Sequence, residues 1–262
     1  MQRALWTAAS GMVAQQLNVD TIANNLANVN TTGFKRSRSR FQDLLYQTLR
    51  APGASSSQRS QYPAGVQLGL GTRAAAVEKL YSQGDFKKTD NSLDLVIQGD
   101  GFFKVTLPSG ETSYTRDGAF ALSRDGQIVN AEGYPLEPAI TIPQGTVKIE
   151  VGSDGTVTAI TGAQTSGTQV GSIELASFVN PSGLRATGQN LLMPTDASGD
   201  ATLGTPGQNG IGALGQGFLE VSNVSVVNEL VEMIAAQRAY ELNSRAVKVS
   251  DDMLSQLNAL IR

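Results

Sequence analysis

At 262 residues the chain is long enough for one large domain or two modest ones, each with a buried core. A net charge of −3 supplies no positive field to gather nucleic acid, and no run of about 18 apolar residues exists to span a bilayer. His and Cys are both absent, which removes the commonest general base, the commonest transition-metal ligands and every disulfide.

Only 16% of residues are charged and 28 are glycine. Such a composition suits a chain whose surface is covered by neighbours, although Gly-rich β proteins share it. The first twenty residues lack the basic start, continuous apolar block and small-residue cleavage site of a secretory signal.

In chain order, the first predicted element is a helix over residues 3–28. Leu5, Met12, Val19 and Leu26 recur every seven residues, with Ala8, Ile22 and Val29 on a neighbouring row. Trp6, Val13 and Leu17 fall on another side, so the helix is apolar on more than one face. Asp20 is the only charge between Ala4 and Phe34, where a water-exposed helix would carry Lys and Glu.

Residues 34–69 read as an extended connector. The basic cluster Lys35, Arg36, Arg38 and Arg40 opens it and reads as a solvated turn or as charge pairing across a subunit contact. Pro52, Gly53, Tyr62, Pro63 and Gly65 mark an irregular stretch, with Leu49, Tyr62 and Val66 available to dock on a neighbour.

Residues 70–222 form the predicted middle domain, with short β-like runs at 93–98, 102–107, 146–151 and 172–179. Asp-Gly pairs at Asp100-Gly101, Asp117-Gly118, Asp125-Gly126 and Asp154-Gly155 suit tight turns that need positive φ. The stretch Gly210-Ile211-Gly212-Ala213-Leu214-Gly215 matches a dinucleotide-binding glycine pattern, but no strand precedes it and no helix follows. It reads as a loop. Asp125 and Asp154 lack a calcium-loop context, and Asp251-Asp252 diverge on a helix surface. No catalytic, cofactor or metal site emerges.

A second long helix is predicted over residues 226–261. Val226, Met233, Tyr240, Val247, Leu254 and Ile261 form a seven-residue repeat; Leu242, Ala246, Val249, Met253, Leu257 and Leu260 form a second row. Asn223 and Ser225 are the N-cap candidates. The two rows cover roughly half the circumference, more than a single partner helix covers. Either the middle domain or other copies must bury them, and the rule for exposed apolar patches favours other copies.

The fold class that follows is α+β: long, coiled-coil-like terminal helices (residues 1–33 and 223–262) flanking a mainly antiparallel β domain.

Two segments also resemble a known family. The run from Ala23 through Asn24, Asn25, Leu26, Asn28, Gly33 and Phe34 to Lys35 resembles the N-terminal signature of the bacterial flagellar rod and hook family. The run from Glu232 through Met233, Gln237, Arg238 and Tyr240 to Asn243 is similar to its C-terminal signature. Gly99-Asp100-Gly101-Phe102-Phe103 and Tyr114-Thr115-Arg116-Asp117-Gly118 resemble its β-domain blocks.

The resemblance implies a structural protein without enzymatic activity or cofactor, a subunit of the distal rod that polymerises helically and transmits motor torque to the hook. A proximal rod or hook subunit is the alternative. The residue-level alternative is a secreted β-domain binding module with oligomerising helices. Implied partners are the chain itself, proximal rod and hook subunits, the P-ring and L-ring proteins and the type III export apparatus, with no nucleic acid and no membrane insertion. The implied location is the basal body, in the rod crossing the periplasm and outer envelope, reached without a cleaved signal. Leu5, Met12, Val19, Ile22, Leu26, Val226, Met233, Tyr240, Val247, Leu254, Leu257 and Ile261 are then assembly residues, Gly33 permits reversal into the connector, and the insertion from Tyr46 to Pro63 stiffens the rod.

Overall fold

The computed structural model describes residues 2–53, 55–57, 60–61, 63–162 and 167–260. Tyr62 and Ile261 lie outside the described residues, as does the side chain of Leu257. The chain divides into two compact units: Met1–Ala27, Ser37–Lys79 and Ser225–Arg262 form a helix-bearing unit, and Asn28–Arg36 with Leu80–Val224 form a β unit.

In the helix-bearing unit, α1 spans Gln2–Ala27 and α2 spans Val226–Leu260. Neither contains proline. Hydroxyls inside them bond back to the preceding turn, Thr21 Oγ1 to the Leu17 carbonyl and Ser250 Oγ to the Ala246 carbonyl, so the polar groups cost the helix little. The Glu229 N–H donates to the Ser225 carbonyl, which makes Ser225 the N-cap of α2. Asn223, the other N-cap candidate, uses its side chain elsewhere.

The segment expected to be an irregular connector is instead a paired ribbon. Ser37–Asp43 runs antiparallel to Thr72–Lys79, Tyr46–Arg50 to Val66–Gly69, and Ser55–Ser57 to Ser60–Gln61. Thr72–Lys79, read from the sequence as the start of the middle domain, therefore belongs to the ribbon. Partners up to about 40 residues apart in sequence leave no local signature, because strand pairing is decided by contacts a window cannot see. The Pro52-Gly53 and Pro63-Ala64-Gly65 breaks coincide with interruptions in the ladder. Gly65 is required there, since a Cβ would lie 2.6 Å from the Arg50 carbonyl oxygen.

The β unit holds a six-stranded antiparallel sheet in the order Arg185–Gly188, Leu191–Met193, Thr112–Thr115, Phe102–Thr106, Leu175–Ser177, Thr202–Gly204. A three-stranded meander, Thr146–Val151, Thr156–Thr161 and Thr168–Ser172, and smaller pairs complete it. Strand alternation splits the apolar residues between two clusters. Phe103 and Val105 join Leu95, Ile97, Phe120 and Leu175 on one side; Phe102 joins Tyr114, Ala176, Phe178 and Leu192 on the other. The rings meet edge to face, Phe103 on Phe120 at 5.0 Å and Tyr114 on Phe178 at 4.9 Å. Of the Asp-Gly pairs, Gly101, Gly126 and Gly155 adopt positive φ. Gly118 does not; it is glycine because a Cβ would collide with the Leu95 carbonyl oxygen.

The polar centre of this unit is a buried ion triad. Glu220 accepts from Lys35 Nζ at 2.6 Å through Oε1 and from Arg116 Nε at 2.7 Å through Oε2. Lys35 also donates to the Ser82 carbonyl, the Gly84 N–H donates to Glu220, and the Arg116 guanidinium fills the carbonyls of Ile97, Gly99 and Gly101. Lys35 is 4% exposed, Arg116 8% and Glu220 2%. The expectation of a solvated or subunit-facing basic cluster is thus corrected at Lys35, which is an interior cation.

Burial alone would raise the Glu220 carboxyl, but the charge of Arg116 and the hydrogen bonds from Lys35 and Gly84 hold it below its usual value. Burial pulls the Lys35 ammonium down despite the attraction of Glu220. A depressed carboxyl stabilises the fold above its unfolded pKa, and that contribution is lost as pH falls through the folded value. The β unit should therefore lose stability below about pH 4, the unperturbed carboxyl range. Glu220→Gln should cost about 3–5 kcal/mol at neutral pH by stranding two buried cations, and denaturant titration across pH measures both effects.

Candidate assembly surfaces

The helices α1 and α2 pack antiparallel. A Cβ on Gly11 would lie 2.9 Å from Asn243 Nδ2, and two heptads along, Asn25 Nδ2 donates to Glu229 Oε2 at 3.1 Å. Asn25 also exchanges two hydrogen bonds with the Ser37 backbone, so one buried amide joins α1, α2 and the base of the ribbon. Thr21 and Ser39 share a hydroxyl bond, and Ser10 Oγ accepts from the Thr72 N–H, which lays the ribbon base along α1.

The buried residues of this pair are small or polar for the most part: Ala8, Ala14, Thr21, Ile22 and Asn25 on α1, and Glu229, Ala236 and Ser250 on α2. The aliphatic repeat read from the sequence flanks that seam. Leu5, Met12, Val19, Leu26, Met233, Val247 and Leu254 are half-buried, while Val226 and Tyr240 are exposed. Outside them stand Trp6 (76% exposed), Val13 (69%), Val227 (70%), Val231 (61%) and Leu242 (65%), with Leu230, Ile234, Val249 and Met253 also exposed. Leaving this many aliphatic side chains in water forfeits on the order of ten kcal/mol.

Two shallow clefts follow the pair. One, about 420 Å³, is lined by Gln16, Val19, Gln237, Tyr240 and Glu241; the other, about 370 Å³, by Gln15, Asn18, Glu232, Ala235, Ala236 and Ala239. Arg238 projects outwards and pairs with Glu241 at 3.2 Å. Asn24 is exposed on α1. The structure does not gather every expected assembly residue here, because Asn28, Gly33 and Phe34 fall in the β unit. Gly33 has φ +67°, and a Cβ on it would overlap the Arg116 backbone at 2.7 Å, so its role is close approach as well as reversal.

The ribbon presents a second surface. Arg38 and Arg40 both reach Glu78 Oε1 at 2.7 Å, and these guanidinium groups hold its carboxyl below the usual range. Further out, Tyr46 lies over Gly69, and Leu45, Leu49, Val66 and Leu68 are exposed. An isolated two-stranded ribbon is marginal in water, and this one carries apolar residues on top of that. Among the described residues there is no cluster of three metal-ligating side chains and no helix apolar enough to cross a membrane.

Comparison with known proteins matches three segments. The family described as "Flagella basal body rod protein" matches residues 5–35, the "Flagellar hook protein FlgE/F/G D1 domain" matches 96–159, and the "Flagellar basal body rod FlgEFG protein C-terminal" matches 216–260. Full-length similarity is stronger evidence. The chain is 50% identical over 257 residues to a flagellar basal-body rod protein FlgG of Buchnera aphidicola, covering 98% of this chain and 99% of that one. It belongs to the flagellar basal-body rod family. The FlgG protein of Caulobacter vibrioides is 50% identical over 259 residues, covering 98% and 99%; that of Bacillus subtilis is 39% identical over 267 residues, covering both chains entirely. The family is structural and non-enzymatic, and its match along the whole chain disfavours the secreted binding module.

Neither Gly11 nor Glu229 stood out in the sequence. The available signal was the seven-residue row Gly11, Asn18, Asn25 facing Glu229, Ala236, Asn243, which is visible only after the aliphatic repeat is set aside. The cysteine-free background makes the seam testable. Mild oxidation of a Gly11→Cys, Asn243→Cys chain should close an intrachain disulfide, while Val13→Cys with Leu242→Cys should stay reduced, as read by gel mobility and mass spectrometry.

Proposed function

We propose that this chain is the distal-rod subunit of the bacterial flagellum, a structural element that polymerises helically into a stiff tube and transmits motor torque to the hook. The observation that carries the reading is the uncovered aliphatic surface flanking a small, polar α1–α2 seam. Hydrophobic rows left open on both helices of one copy suit burial against several others, and heterologous contacts that do not close generate a helical filament. In this reading both helices line the tube. The partners are further copies of the chain, proximal rod and hook subunits, the P- and L-ring proteins and the type III export apparatus. The rod crosses the periplasm and outer envelope.

The ribbon supports the distal assignment over a proximal one. Extended at about 3.3 Å per residue, its arms give a contour of roughly 60 Å, long enough to lie across a neighbouring subunit. Its exposed Leu45, Leu49, Val66 and Leu68 supply the apolar side of such a contact.

Helices with so much uncovered apolar surface and so little seam should be weakly ordered until they assemble. Limited proteolysis should trim both ends of the free chain and spare them in the tube. Val231→Asp with Ile234→Asp should raise the concentration needed for polymerisation at least about a hundredfold, since two buried aliphatic side chains are worth about 3–6 kcal/mol, and leave the β unit's unfolding transition in place. Deleting residues 46–63 should yield tubes that bend. Straight tubes from that deletion, seen by electron microscopy, would remove the ribbon from the stiffening role.

A further inference from the structure

The chain passes between its two units at four places, between residues 27 and 28, 36 and 37, 79 and 80, and 224 and 225. A single side chain inside the β unit holds the segments belonging to three of them. Asn223 Oδ1 accepts from the Arg36 N–H at 2.7 Å, and its Nδ2 donates to the Leu80 carbonyl, the Ser82 carbonyl and Ser82 Oγ, each at 2.9 Å. Asn223 itself stands one residue before the last passage, and the Leu80 N–H donates to the Arg36 carbonyl alongside. The triad lies close by in the same segments, since Lys35 donates to the Ser82 carbonyl that Asn223 also uses, and Glu220 is three residues upstream.

We propose that Asn223 is the coupling residue of the chain: it ties the Arg36, Leu80 and Val224 passages into one bundle, so that load is shared among them. The Arg36 and Leu80 segments are also joined by the Leu80 N–H and by the Ser37–Lys79 strand pairing, and the Asn223 amide adds the lateral tie from both to the Val224 passage. A primary amide suits the position because it has an acceptor for one strand and two donors for another, which Asp and Ser lack. The residue pattern carries no N-cap duty, since Ser225 performs it. This inference rests on the rod reading for its mechanical consequence, though not for the geometry.

The test uses the full chain with Asn223→Ala, Asn223→Asp and, for reference, Glu220→Gln. Amide exchange in the unassembled Asn223→Ala protein should quicken about tenfold or more in all three segments, 33–37, 79–83 and 221–225, as expected for loss of four hydrogen bonds at once. Its β-unit melting temperature should fall far less than that of Glu220→Gln. Asn223→Asp keeps the acceptor and should protect 33–37 while loosening 79–83. Tubes of Asn223→Ala should form and flex several-fold more than wild type by electron microscopy. Loosening of 221–225 alone, a stability loss equal to that of Glu220→Gln, or tubes of unchanged stiffness would each overturn the proposal. Closed oligomers from the wild-type chain would instead count against the rod reading, and the exchange pattern would still decide the role of Asn223.

Discussion

Two cations share one carboxylate in the interior of the β unit, and the placement of its chain segments follows from that arrangement. Lys35 comes from the segment entering from α1, Arg116 from the loop after the strand Thr112–Thr115, and Glu220 from the last strand before α2. Removing charges from water costs several kcal/mol each, and the cost is met only when every donor and acceptor is matched. Here the matching is close to complete: both Glu220 oxygens are taken, and Arg116 spends its remaining donors on carbonyls. Such a site is a poor source of net stability but a strict selector of geometry, because any displacement of the three segments strands a charge.

The α1–α2 pair follows an opposite logic. Its seam is built from residues that contribute little burial, and its aliphatic rows are held half-covered or open. A pair meant to stand alone would turn Leu, Met and Val into the seam, as two-helix coils do. Small residues instead let the helices approach closely, and a Cβ on Gly11 would press on the Asn243 amide. The consequence is a helix pair with defined internal geometry and a large unsatisfied exterior. One unit thus has its energetics closed within the chain and the other has them open towards a partner.

That contrast also explains what could be read without coordinates. Periodicity gave α1 within a residue at each end and the start of α2, because seven-residue apolar rows leave a local trace. Thr146–Val151 was legible for the same reason, as an alternating run followed by an Asp-Gly turn. The ribbon was not, since its pairing joins Ser37 to Lys79 across a stretch rich in Pro, Gly and Ser. The burial of Lys35 is not legible, because a lysine in a run with three arginines carries no mark of it, and its partner Glu220 lies far along the chain. For the helix pair, the aliphatic rows leave a local trace, while the contact between the helices is made by Gly11, Asn25 and Glu229, which no apolar period marks. Asn25 and Gly33 both lie in the N-terminal family signature, which does not say that one serves the helices and the other the β unit.

Asn25 shows how the open unit fixes the geometry of its own parts as they come together. Its amide is 1% exposed and satisfied at both ends, by Ser37 at the ribbon base and Glu229 in the first turn of α2. An apolar residue there would gain burial and lose direction, because aliphatic contacts tolerate rotation that a hydrogen-bonded amide does not. The ribbon must leave α1 at a fixed angle if its exposed face is to meet the same place on every neighbouring copy, and helical assembly multiplies any angular error from subunit to subunit. Polar specification at Asn25 and apolar affinity on the flanks are therefore complementary demands, and their separation onto different rows of the same helix lets the chain satisfy both.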